Sequence, residues 1–254
     1  MSKNFDPNQN HYFYNNKKNS IPLVFIHGVG LDHRMWDDQI DHLNEFSILT
    51  YDLIGHGKTP CNKEKITLND FSNQLLEILD HLKIDKINLV GFSLGSLIAL
   101  DFSARYQKKL EKLILIGTTY KRSDQERSLV VDRYNQAKLN KPISKQALKR
   151  WFSNKYLEEH PKTYDLFMNI LNKKPDDHKS FLKAYELFAN HYDDIDSIKK
   201  IDRKTLVMTG SNDAGSTPGM SKELVKDLVN STYIEIQNGK HLCSIECADD
   251  VNMN

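Results

Sequence analysis

The sequence predicts an open α/β domain, a mostly parallel sheet flanked by helices and interrupted by one helical insertion. Strand-like runs alternate with helix-period stretches from residue 21 to about 118. The rhythm lapses from about 120 to 200 and resumes from about 203. A length of 254 residues suits a single core carrying such an insertion. Parallel neighbours need crossover connections, so strand–helix–strand alternation implies right-handed crossovers and ligands at the strand C-termini.

Residues 1–20 are polar around one aromatic cluster, His11-Tyr-Phe-Tyr14, read as a frayed start leading into a short edge strand. Ile21–Ile26 is a compact apolar run stopped by His27-Gly28-Val29-Gly30, the mark of a buried strand. A polar helical stretch follows with Met35, Trp36, Ile40 and Leu43, then a strand over Phe46–Asp52 and a turn at Gly55-His56-Gly57. Thr67 and Asp70 form a capping-box pattern ahead of Leu68, Phe71, Leu75, Ile78, Leu79 and Leu82, which keep helical spacing. A strand at Lys86–Val90 leads into Gly91-Phe92-Ser93-Leu94-Gly95. The helix after it, Leu94 to about Tyr106, is apolar nearly all round at first and so should be buried. Lys112–Gly117 reads as the next strand.

Residues 120–200 show helix signals near 124–139, 144–153, 161–172 and 177–192 and no strand signal, so they read as a helical cap, or lid. The core is then 1–119 together with 201–254. Strands at Thr205–Gly210 and Thr232–Ile236 flank a helix near 218–229.

Composition narrows the function. Lys and Arg (35) nearly balance Asp and Glu (34), which excludes a dominantly basic nucleic-acid binder. No apolar run nears the roughly 18–20 residues that cross a bilayer, and the polar N-terminus lacks the apolar region of a signal peptide. An odd count of three cysteines argues for free thiols in a reducing, cytoplasmic setting. There is no phosphate-loop motif, and Cys243 with Cys247 lacks a second pair to complete a zinc site.

The chemistry is carried by Gly91-Phe92-Ser93-Leu94-Gly95, a G-x-S-x-G motif between strand and helix. A strand turning at once into a helix leaves the serine strained and projecting, with room only for small residues two positions either side. A serine hydroxyl needs a base, and the base needs an orienting carboxylate. In this architecture the order is serine, acid, histidine. Asp213 follows a strand, whereas the rival position offers only Thr118, Thr119 and Tyr120. His241 follows the last strand. Of the other histidines, His33, His42 and His81 fall in helical segments facing solvent or making local bonds; His27 and His56 sit in loops with other duties. The N–H groups of Val29 and Leu94 are the expected donors to an oxyanion.

His27-Gly-Val-Gly, Asp52-Leu-Ile-Gly-His-Gly57, the serine motif, Gly210-Ser-Asn-Asp213 and Gly239-Lys-His241 occur in the order found in the α/β-hydrolase family, which the chain resembles over 21–118 and 203–251. Within it, Gly215-Ser-Thr-Pro218, His241-Leu-Cys-Ser-Ile-Glu246 and Arg150-Trp151-Phe152 make it most similar to 3-oxoadipate enol-lactonases and their relatives. Ser96 departs from the pattern, standing where many relatives have glycine. Relatives also continue with a further helix, of which Ala248–Asn254 could form only about a turn, so a shortened chain with apolar surface open is expected.

The resemblance implies a carboxylic ester or lactone hydrolase working through an acyl-enzyme on a small, carboxylated substrate, with no metal or organic cofactor. Arg150 would meet the carboxylate and Trp151 would form an apolar wall. The same motifs admit hydrolysis of a carbon–carbon bond in a ring-cleavage product, cofactor-free perhydrolysis, or a ligand receptor on a hydrolase scaffold. The expected partner is a small molecule, not nucleic acid or membrane; the sequence leaves oligomeric state open.

Overall fold

A computed structural model describes residues 3–17, 20–139 and 143–254. The strands are β1 (Lys3–Phe5), β2 (His11–Asn15), β3 (Leu23–Ile26), β4 (Ile48–Tyr51), β5 (Ile87–Phe92), β6 (Leu110–Ile116), β7 (Lys204–Gly210) and β8 (Ser231–Ile236). They form one sheet in the order β1-β2-β4-β3-β5-β6-β7-β8. From β4 to β8 every pairing is parallel. The β1–β2 and β2–β4 pairs are antiparallel.

The aromatic cluster at 11–14 does form a strand, but not at the edge. β2 pairs with β4 on one side and with β1 on the other. The sequence offered no signal for β1, because three residues are too few to show a period. β3 starts two residues later than its apolar run: Pro22 has no N–H to give a ladder, and its carbonyl accepts the Asn88 N–H at 2.9 Å.

The connecting helices are α1 (Asp37–His42), α2 (Leu68–Leu82), α3 (Leu94–Arg105), α10 (Pro218–Asp227), α11 (Cys243–Glu246) and α12 (Ala248–Asn252). Between β6 and β7 lie α4 (Asp124–Lys138), α5 (Ser144–Trp151), α6 (Asn154–Glu159), α7 (Pro161–Leu171), α8 (Pro175–Asn190) and α9 (Ile195–Ile198), with no strand among the described residues. α6 was hidden in the sequence by its brevity. The box at Thr67 and Asp70 closes both ways, the Asp70 carboxylate accepting the Thr67 N–H at 2.8 Å. α3 is buried all round from Leu94 to Leu100, where its composition is mostly apolar, and turns polar faces outward only at Asp101 and Arg105. Among the described residues no helix is long and apolar enough to cross a membrane.

Apolar side chains bury on both faces of the sheet. One cluster joins β3, β5 and β6 to α2, α3 and α8 through residues such as Leu89, Leu75, Ile98 and Phe188. The other gathers Trp36, Phe92, Ile116, Phe152 and Phe167. β3 has β4 on one side and β5 on the other, so the chain leaves the C-terminal ends of β3 and β5 in opposite directions. A crevice opens at such a switch point.

His33 does not simply face solvent or make a local bond, as its helical segment suggested; its partner lies 19 residues away. Asp52, fully buried, accepts from the His33 Nδ1 at 2.7 Å and the His11 Nδ1 at 2.8 Å, and also from the His33 and Lys58 N–H groups. Burial pushes the Asp52 carboxyl up, but the bonds from His11 and His33 outweigh it and hold it far below the usual range. Burial also disfavours charge on His33, yet the Asp52 bond and charge win and raise its pKa.

Candidate active site

β5 runs straight into α3 through Ser93, whose backbone has φ 54° and ψ −115°. A non-glycine residue in that region is strained, and the strain holds because the surroundings fix it. A Cβ on Gly91 would stand 2.4 Å from the Gly95 carbonyl oxygen. The Ser93 N–H donates to the Ile116 carbonyl of β6 at 2.9 Å. Ser96 fills the place of the expected glycine with its Oγ 2.6 Å from the Gly91 carbonyl oxygen and 3.1 Å from that of Ile116. The departure thus ties the elbow to β6 instead of loosening it.

Asp213 sits in the turn after β7, its N–H on the Gly210 carbonyl at 3.0 Å. Its Oδ1 accepts the N–H groups of Gly215 and Ser216 at 2.8 and 2.9 Å. Its Oδ2 lies 2.6 Å from the His241 Nδ1. A carboxylate only accepts, so Nδ1 carries a proton, and in the neutral ring Nε2 is bare. That bare nitrogen lies 3.2 Å from the Ser93 Oγ. A hydroxyl so placed can lose its proton to the imidazole while attacking a carbonyl carbon.

Val29 lies in the loop after β3, beside the nucleophile: a Cβ on Gly28 would be 3.3 Å from the Ser93 Cβ. Leu94 opens α3. Among the described residues, neither the Val29 nor the Leu94 N–H donates to a protein acceptor. Both are therefore available to an oxyanion at the N-terminal end of a long helix.

A cavity of about 410 Å³ opens at this site. Ser93, Asp213, His241, Val29, Arg150 and Trp151 all line it. The His241 ring lies 6.4 Å from that of Trp151 and 4.8 Å from that of Phe92. Four cations line the cavity, Arg133, Lys149, Arg150 and Lys240, against one carboxylate, Asp213, which is already engaged. Among the described residues none of the four forms an ion pair. Burial, and then the neighbouring Arg133 charge, lower the Arg150 pKa, so the two guanidinium groups sense each other.

Two contributors escaped sequence reasoning. Arg133 shares the cavity with Val130 and Leu129, three and four residues before it on the same helix, and this one-face spacing was the available signal. Glu246 was visible only as part of a motif. Its Oε1 accepts the Ser153 N–H at 2.9 Å and its Oε2 the Lys240 N–H at 3.2 Å. The Leu242 N–H adds a bond to the Trp151 carbonyl at 3.0 Å. The segment bearing Arg150 and Trp151 is thereby stitched to the loop bearing His241.

Known proteins agree with this architecture. A (E)-2-((N-methylformamido)methylene)succinate hydrolase of Acinetobacter baylyi is 28% identical over 95% of this chain and 90% of its own. 3-Oxoadipate enol-lactonase 1 of the same organism is 26% identical over 91% of this chain and 86% of its own. The crystal structure of the enol-lactonase from Burkholderia xenovorans LB400 superposes with a TM-score of 0.87 at 25% identity, covering 96% of this chain and 94% of that one. The profile of the alpha/beta hydrolase fold matches residues 21–247, so the chain, similar to enol-lactonases as its motifs implied, belongs to the α/β-hydrolase fold family.

Proposed function

We propose that the protein is a serine hydrolase that cleaves a small ester or lactone bearing carboxylate groups. Ser93 attacks the carbonyl carbon as its proton passes to His241 Nε2. Asp213 holds the imidazole tautomer and stabilises the imidazolium. The Val29 and Leu94 N–H groups receive the oxyanion. His241 then gives its proton to the leaving alcohol or enol oxygen, and the acyl-enzyme forms. Water, deprotonated by His241, attacks the acyl carbon; the imidazolium then returns that proton to Ser93 Oγ as the acid is released.

The observation that carries the reading is the continuous run of contacts from Asp213 Oδ2 through His241 to Ser93 Oγ, at 2.6 and 3.2 Å, ending on a strained elbow inside the cavity. The cavity's excess of unpaired cations supports the substrate class, because guanidinium groups bind carboxylates strongly. Arg150 and Arg133 would take them, with Trp151 as the apolar wall. The names of the two relatives above fit: one is an enol-lactonase, and the other acts on a succinate skeleton, which carries two carboxylates. Helices within 120–200 would act as a cap over the core of 1–119 and 201–254, excluding bulk water from the acyl-enzyme.

Ser93→Ala tests the scheme. The variant should keep its fold, lose labelling by a fluorophosphonate probe and lose turnover of activated esters. Retention of most activity rejects Ser93 as nucleophile. Product analysis with enol-lactones, vinylogous diketones and peroxide separates ester hydrolysis from carbon–carbon cleavage and perhydrolysis.

A further inference from the structure

The loop bearing Val29 is held by two histidines that the Ser93–His241–Asp213 relay does not use. His27 opens that loop, and its Nε2 accepts the Leu53 N–H at 2.9 Å. His56 lies on the facing loop after β4, and its Nε2 accepts the Gly30 N–H at 3.0 Å. Each loop thus lends the other one imidazole and one amide, and the rings meet edge to face at 5.2 Å. A backbone amide can only donate, so both Nε2 atoms must be bare. Each ring's proton then sits on Nδ1, where the carbonyls of Gly28 (2.8 Å) and Ile54 (3.2 Å) accept it. An imidazolium at either place would set N–H against N–H. Both rings are fully buried, and burial is the main cause of their lowered pKa values, in keeping with neutral rings.

The consequence falls on one peptide unit. The Gly28 carbonyl and the Val29 N–H belong to the same trans peptide and point in opposite directions. Drawing the carbonyl toward His27, with a further bond from the Leu31 N–H at 3.2 Å, aims the Val29 N–H the other way. On the far side of Val29, His56 anchors the Gly30 N–H. Phe181 of α8 packs against this anchor, its ring 6.2 Å from that of His56.

We propose that His27 and His56 form a reciprocal clasp that positions the Val29 amide for the oxyanion, which makes His56 a positioning residue of the reaction. The inference rests on the serine-hydrolase reading above. Misplacing one oxyanion donor is worth about 100-fold or more in turnover.

Two measurements test it. Nitrogen-15 NMR of the histidine side chains in the unmodified protein at neutral pH should show His27 and His56 as neutral Nδ1–H tautomers. An Nε2–H tautomer or an imidazolium at either residue overturns the clasp, whatever ester the protein hydrolyses. In steady-state assays with p-nitrophenyl acetate, His56→Leu removes the acceptor and keeps bulk. It should lower kcat about 100-fold while leaving KM nearly unchanged. His56→Gln, whose amide oxygen can take the Gly30 N–H, should recover much of that loss. Equal losses in the two variants, or a His56→Leu kcat close to that of the unmodified protein, overturn the proposal. Should His56→Leu fail to fold, the tautomers decide. An unmodified protein that turns over no ester counts against the role of Ser93, not against the clasp.

Discussion

A Cβ on Gly95 would stand 2.2 Å from the carbonyl oxygen of Ile26, so α3 and β3 meet there with only a hydrogen between them. Gly95→Ala forces strand and helix apart. Overpacking costs about 1–3 kcal/mol, and here the obstacle is backbone, so the upper end applies. Ile26 leads into the Val29 loop, so ester turnover should fall with stability. The urea midpoint and kcat of the variant check this; an unchanged midpoint would mean that the helix can shift without loss.

That contact explains what was legible from the chain alone. The elbow could be read because its constraint is local: Gly91, Ser93 and Gly95 are near neighbours, and sterics act between them. Asp213 and His241 could be read because each follows a strand, and parallel topology brings strand ends to one rim. His33 could not, since its partner Asp52 lies in another segment and the burial that makes the pair matter is a tertiary fact. Arg133 was obscure for a similar reason, being one of three cations on α4 until the cavity gathers it with Arg150.

Asp213→Asn should leave the fold intact and nearly abolish turnover. The amide oxygen can still take the N–H groups of Gly215 and Ser216, which leaves the NH₂ facing His241 Nδ1. The imidazole must then carry its proton on Nε2, where it cannot accept from Ser93. A loss of about 10,000-fold in kcat is expected where such a relay operates. Circular dichroism with steady-state kinetics reads both parts, and a loss under tenfold would place the orienting carboxylate elsewhere.

Stability should depend on pH through His33. Its pKa is raised above the ordinary 6.5, so the folded state holds this proton more tightly than the unfolded chain. The resulting stabilisation is complete below the unfolded value and is lost as pH rises through the folded one. The stability gap between the unmodified protein and His33→Asn should therefore be widest in mildly acidic buffer and shrink toward alkaline pH. Urea titrations of both proteins across that range measure it, and a gap that widens with pH contradicts the ion pair.

Arg133→Gln and Arg150→Gln should each separate substrates by charge. Hydrogen bonds to charged groups contribute about 1.5–3 kcal/mol, so KM for an ester bearing a free carboxylate should rise about 10- to 100-fold. KM for the matching neutral ester should hardly move, and added salt should weaken binding of the anionic substrate only. Parallel changes for both esters would show that the two arginines shape the cavity without meeting a carboxylate.

Glu246 ties the Trp151 segment to the His241 loop, because its carboxylate accepts the Ser153 N–H on one side and the Lys240 N–H on the other. Glu246→Ala frees both amides. For a carboxylated ester, kcat should fall and KM rise together, lowering kcat/KM about 10- to 100-fold if charged hydrogen bonds of this kind carry their usual weight. For p-nitrophenyl acetate, which does not need the arginines, kcat alone should fall. Glu246→Gln keeps one acceptor and should lie between. A purely structural role predicts otherwise: loss of active protein would lower the apparent kcat equally for both esters and leave both KM values in place. The divergence of KM between the two substrates is therefore the measurement that decides whether this side chain joins the pocket wall to the base.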